Sequence, residues 1–167
     1  MSGVNPRTLP LAIVFAVTYA VVYLLAVALL GAITHQTASV WWPRKKTPGT
    51  FVARFRSVAA AHYTNAIVVL YLLTMVMGAT IYPEFRVSIR GVVEELDHRA
   101  VMGAFEMKEH FVVVGMAMLL PYWLIWRTPL AEQYAKTRAV LTALLAFIVW
   151  WGFLVGHIIN NIRGYAA

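Results

Sequence analysis

Residues 105–126 read FEMKEHFVVVGMAMLLPYWLIW. From Phe111 to Trp126 no side chain is charged, and the stretch from His110 onward approaches the ~17–25 apolar residues that a helix needs to cross a bilayer. Glu106, Lys108, Glu109 and His110 stand at its mouth. Charges are costly in hydrocarbon, so the reading of this stretch turns on what those four groups face. Upstream, DHRAVMGAFEMKEH (97–110) has no proline and stays in helical register. A helix is therefore predicted to start near His98 with Asp97 as its cap, and to span 100–126.

Three further apolar segments accompany it, at about 9–34, 58–82 and 139–162. The chain has 167 residues, 61% of them hydrophobic, against ~45–50% for an ordinary soluble domain. The expected fold is a single-domain, all-α integral membrane protein: an antiparallel four-helix transmembrane bundle with a long outer loop between helices 2 and 3. The opening MSGVNPRTLPLAIV lacks the basic, short-apolar and small-residue pattern of a cleaved signal, and is expected to be the start of a retained helix.

Lys and Arg set the expected orientation. Eight lie in the two connections that follow the first and third segments, including Arg44, Lys45, Lys46, Arg54 and Arg56; six lie on the opposite side. The positive-inside rule puts both termini outside, in an inner (cytoplasmic) membrane of bacterial type. The net charge of +7 is thus attributed to cytoplasmic connections and not to nucleic-acid binding. With no cysteine, the chain has no disulfide, iron–sulfur cluster, thiolate zinc site or covalent c-type haem. No G-x-S-x-G motif, nucleophile–base pair or phosphate loop suggests a soluble-type hydrolase.

The five histidines carry the most specific signal. His110 precedes Arg127 by seventeen residues, ~26 Å along a helix, and His157 follows Arg138 by nineteen, ~29 Å. Helices 3 and 4 are joined by a short connection and should be neighbours, so the two imidazoles are expected in one outer layer. Two imidazoles from facing helices can ligate a haem iron or another metal. Gly152 and Gly156 could admit a flat ring near His157, although ordinary helix packing uses the same spacing. His35 and His62 form a weaker counterpart toward the inner side, a second candidate cofactor-binding pair. Glu106 and His110, four apart, share a helix face, with Glu109 flanking it and Lys108 turned ~160° away from His110. Glu106, Glu109 and His110 are expected to face the bundle interior near His157, with the two acids as candidate proton-handling residues beside a ligand histidine. Glu95 and His98 have E-x-x-H spacing, but the other membrane segments hold no acid to complete a di-metal site.

The function expected from this pattern is a small membrane redox protein. It would carry b-type haem on His110 and His157 and exchange electrons with a quinone or another membrane partner. In plan it is similar to the small di-haem membrane cytochromes b, a likeness of architecture that carries no ligand assignment. Two other readings fit the residues: a non-catalytic accessory subunit of a larger membrane complex or homo-oligomer, and a proton or metal-ion relay through Glu106, His110 and His157.

Overall fold

The computed structural model describes residues 9–42, 49–51, 58–88, 90–95, 99–128 and 132–166. Its elements are helical, with no strand among the described residues. They are α1 (Leu9–Trp41), α2 (Tyr63–Ser88), α3 (Arg90–Glu95), α4 (Arg99–Arg127) and α5 (Ala135–Ala166). Single turns of 3₁₀ helix at Ala60–His62 and Glu132–Tyr134 lead into α2 and α5. Four segments are long and apolar enough to cross a membrane: Ile13–Trp41, Ala60–Pro83, Arg99–Arg127 and Glu132–Ile159. Helices of this composition are suited to a lipid bilayer, as the hydropathy of the sequence implies.

The spans run longer than hydropathy alone indicates. α4 begins at Arg99, well before His110, because nothing between 99 and 110 interrupts the helical pattern. Asp97, the expected cap, and His98 lie outside the described residues. The expected long loop from Pro83 onward is largely helical. α2 runs through Pro83 to Ser88, and α3 fills much of what remains. Pro83 and Pro121 each remove one backbone donor from their helix, a loss that long membrane helices tolerate. The basic residues Arg44, Lys45, Lys46, Arg54 and Arg56 lie outside the described residues.

α1 packs mainly on α2 and α5, and α4 mainly on α5, with a lighter α2–α4 contact closing the ring. The larger core cluster joins Leu29 and Ile33 of α1, Ile67 and Tyr71 of α2, Leu119, Tyr122 and Trp126 of α4, and Leu145, Ala146 and Val149 of α5. A smaller one holds Phe105, Val155 and Ile159, with Tyr82, Val101, Ala104 and Trp151 packed against it. One close approach between helices depends on glycine. A Cβ at Gly115 would overlap the Tyr71 hydroxyl and stand 3.1 Å from Ile148 Cγ2. Without it, the Tyr71 hydroxyl reaches α4 and donates to the Val112 carbonyl at 2.8 Å.

Candidate functional site

Hydroxyls within α1 are satisfied locally. Thr18, Thr37 and Ser39 each donate to the carbonyl four residues earlier, which lets polar residues sit in an apolar helix at little cost. Gln36 behaves differently. It is fully buried, and its amide nitrogen donates to the Ala60 carbonyl at 3.0 Å and to Thr64 Oγ1 at 3.2 Å. Its Oε1 accepts from the hydroxyl of Tyr122, also fully buried, so α1, α2 and α4 meet at one side chain. Nearby in the same cluster, Trp126 Nε1 donates to Thr142 Oγ1 at 3.1 Å, and Thr142 donates to the Arg138 carbonyl at 2.7 Å. Trp123 Nε1 reaches Asn65 Oδ1, and Trp150 Nε1 reaches Thr34 Oγ1, each at 3.0 Å. Among Gln36, Thr64, Tyr122, Trp126 and Thr142 each hydrogen bond has its partner on another element or one turn away, which fixes helix register.

Reading the sequence by histidines and charges missed this network. The signal available is Gln36, the one side-chain amide of a largely apolar helix, together with aromatic residues such as Tyr122 that need a polar partner when buried.

His35 and His62 lie at the border of the network. The His35 ring, half-buried, lies 4.6 Å from the Tyr63 ring at a tilt. His62 is exposed in the turn that precedes α2. No hydrogen bond or ring contact among the described residues joins the two histidines.

The other end of the bundle holds the residues that the sequence singled out. The buried positions of α4 are Phe105, Gly115, Leu119, Tyr122 and Trp126, which define its inward face. At about 100° per residue, Lys108 lies about 20° from Gly115, whereas His110 lies about 140° and Glu106 about 180° away. Glu106 and His110 do share a face opposite Lys108, but it is the exposed face. The expectation that they point into the bundle is reversed. In lipid, both sides of a helix can be apolar, so polarity alone does not tell which side packs. Glu109 sits on the flank, half-buried.

Each outer histidine bonds within its own helix. His110 Nδ1 is 2.7 Å from the Glu106 carbonyl. A carbonyl only accepts, so Nδ1 carries the proton and Nε2 of the neutral ring is left as an acceptor. His157 is exposed, its Nε2 is 3.2 Å from Asn161 Nδ2, and its ring stacks on Phe153 at 6.2 Å. Phe153 in turn meets Tyr23 of α1 at 5.7 Å, which puts His157 on the α1 side of α5. α4 meets α5 elsewhere, through Phe111 against Phe147 and Trp151. The structure therefore shows no contact between His110 and His157 among the described residues. Beside Gly156 there is open space, while at Gly152 a Cβ would only touch Val112.

The acids are likewise spread out. Glu106 Oε1 lies 3.9 Å from Arg90 Nη2, a weak tie between α4 and the short helix α3. No group of three or more His, Asp or Glu among the described residues is placed to hold a metal ion. Compared with known proteins, the chain matches no family model, no curated protein and no solved structure.

Proposed function

We propose that this protein is a small, non-catalytic membrane subunit that assembles with another membrane protein through the outward face of α4 at Glu106 and His110. The carrying observation is that pair on the exposed face of a membrane-spanning helix. Arg127 marks the far end of α4; His110 lies ~26 Å from it, near the outer edge of a hydrocarbon core ~30 Å thick, and Glu106, at ~32 Å, lies at the headgroup boundary. An imidazole at the edge of the hydrocarbon and a carboxylate just above it favour cover by protein or water, and among the described residues both side chains are exposed. A partner helix offering a donor to His110 Nε2 and to the Glu106 carboxylate supplies that cover. In this reading the four spans alternate direction, both termini are outside, and the partner approaches from the outer leaflet.

Purification in native-lipid nanodiscs is the test. The wild type should emerge as a complex of fixed stoichiometry with a second membrane protein, and the double variant Glu106→Ala, His110→Ala should emerge without it. A wild type that is solely monomeric overturns the proposal. A homo-oligomer overturns the partner while keeping the face.

The redox reading has one observation in its favour. A ligand histidine usually donates its other ring nitrogen to a carbonyl or carboxylate, and His110 has that arrangement toward Glu106. Its Nε2 is suited to the iron of a b-type haem, which would supply electron exchange with a quinone or another partner. His157, with Nε2 already engaged and a different neighbour, is the weaker second ligand. An absorption spectrum of the purified protein, oxidised and then reduced, separates the readings. A b-type signal abolished by His110→Ala favours haem; no signal leaves Glu106 and His110 to the assembly.

A further inference from the structure

The end of the bundle near Phe105 contains donors on packed helix faces that have no acceptor among the described residues. Lys108 is the first. It lies on the packed face of α4, with its ammonium 4.3 Å from the centre of the Phe105 ring. Among the described residues no carboxylate lies within ion-pair distance of it, although Glu109 is adjacent in sequence. The second is the indole N–H of Trp151, and the third is the hydroxyl of Thr74. Both of these polar atoms are buried and have no hydrogen-bond partner.

The three belong to one layer. Trp151 packs against the cluster that contains Phe105, the ring beneath Lys108. The Tyr71 hydroxyl, one turn before Thr74, is bonded to the carbonyl of Val112, one turn after Lys108. Val112 Cγ2 in turn lies 4.0 Å from the place a Cβ would take on Gly152, next to Trp151. The layer also has room. Gly78 and Gly156 each follow a buried residue, Tyr71 and Val149, by seven positions, and so keep to the same helix face within about 20°. A Cβ on either would meet nothing within 4 Å.

A buried donor left without an acceptor is costly, and a half-buried ammonium gains from an anionic partner. Two buried donors and a half-buried ammonium in one layer, beside open positions at Gly78 and Gly156, form a donor set suited to an acidic oxygen ligand. We propose that this layer binds the acidic head of a chain-bearing lipid. A carboxylate or phosphate oxygen would face Lys108, with Trp151 and Thr74 as further donors and the acyl chain along the open glycine faces. The positive charge selects an acid over a neutral carbonyl compound, and the apolar surroundings select a molecule that partitions into the bilayer. This site is separate from the outward face at Glu106 and His110, and stands or falls independently of it.

The test uses the full chain in phosphatidylcholine nanodiscs. Titration with bromine-labelled oleate is read by tryptophan quenching, with phosphatidic acid and a short-chain ubiquinone as competitors. Saturable oleate binding is expected, weakened about tenfold or more in Lys108→Gln, as fits loss of a charged hydrogen bond, and kept in Lys108→Arg. Displacement by phosphatidic acid would make a phospholipid the occupant; its failure to compete would make a free fatty acid the occupant. Either result supports the site. Absence of saturable binding, equal affinity in Lys108→Gln, or competition by the quinone as strong as by the acids overturns it. Should Lys108→Gln not fold, Thr74→Val replaces it: a several-fold loss of affinity is expected, and unchanged affinity overturns the proposal.

Discussion

At one end of the bundle Gln36, Thr64 and Tyr122 satisfy one another across three helices. At the other, His110 and His157 bond within their own helices, Glu106 reaches the short α3, and Lys108, Trp151 and Thr74 have no acceptor among the described residues. The contrast separates two uses of polarity in a membrane. A matched set of donors and acceptors specifies how helices pack and is then chemically silent. An unmatched set is expensive for the isolated chain, and that expense is the argument for something else, a partner helix or a ligand, completing it.

The boundary between the two ends runs through Gly115, where Tyr71 crosses to Val112. The largest stability effect is expected there. Gly115→Leu would drive a side chain into Tyr71 and Ile148, and should exceed the ~1–3 kcal/mol typical of overpacking. Unfolding in mixed detergent micelles measures it. Gly115→Ala should cost less, and combining it with Tyr71→Phe should recover part of the loss, since the hydroxyl is the atom nearest the added methyl. No recovery would mean that the backbone of α4, and not the tyrosine, sets the approach.

Next in size is the matched end. Tyr122→Phe leaves the fully buried Gln36 with an acceptor and no donor from α4. Single hydrogen bonds between membrane helices average about 0.6 kcal/mol and reach about 1.7. A value near the upper figure is expected here, because the orphaned oxygen has no water to turn to. In a double-mutant cycle with Gln36→Met most of that cost should vanish, since both partners are then apolar. A cycle that shows no coupling would reduce the network to coincidental packing and dissolve the contrast.

How much of this was legible in the sequence follows from the same physics. The four spans were readable because burial in lipid demands long apolar runs, and the early start of α4 was readable because 99–110 offers no stop signal. The inward face of α4 was not. In water, polar residues mark the outside of a helix; in lipid, that contrast fades, and charges were expected to turn inward. Glu106 and His110 do the reverse. The better guide was the stripe Gly115, Tyr122 and Trp126, a small residue and two amphipathic aromatics at spacings of seven and four, which fits close packing with internal hydrogen bonds. Gln36 carries no charge and so does not stand out among ionisable groups, although a buried amide has four bonding positions to satisfy and is as demanding as a histidine.

The smallest expected effect is also the sharpest test of the comparison. His110→Ala removes an exposed side chain whose visible bond runs to its own helix, 2.7 Å to the Glu106 carbonyl. That carbonyl keeps its place in the helical ladder without the imidazole, and alanine favours helix at least as well. In the isolated chain the stability change should stay within about 0.5 kcal/mol, the range of surface substitutions remote from special features. The same unfolding assay, run beside Tyr122→Phe, measures both ends in one system. A loss above about 1 kcal/mol would place His110 against a partner inside its own chain, and the unmatched end would then be matched after all. With the loss small in the isolated chain and large in the native-lipid complex, the difference is the contribution of whatever covers α4 from outside, because a group that binds only the folded, assembled form adds its stability there alone.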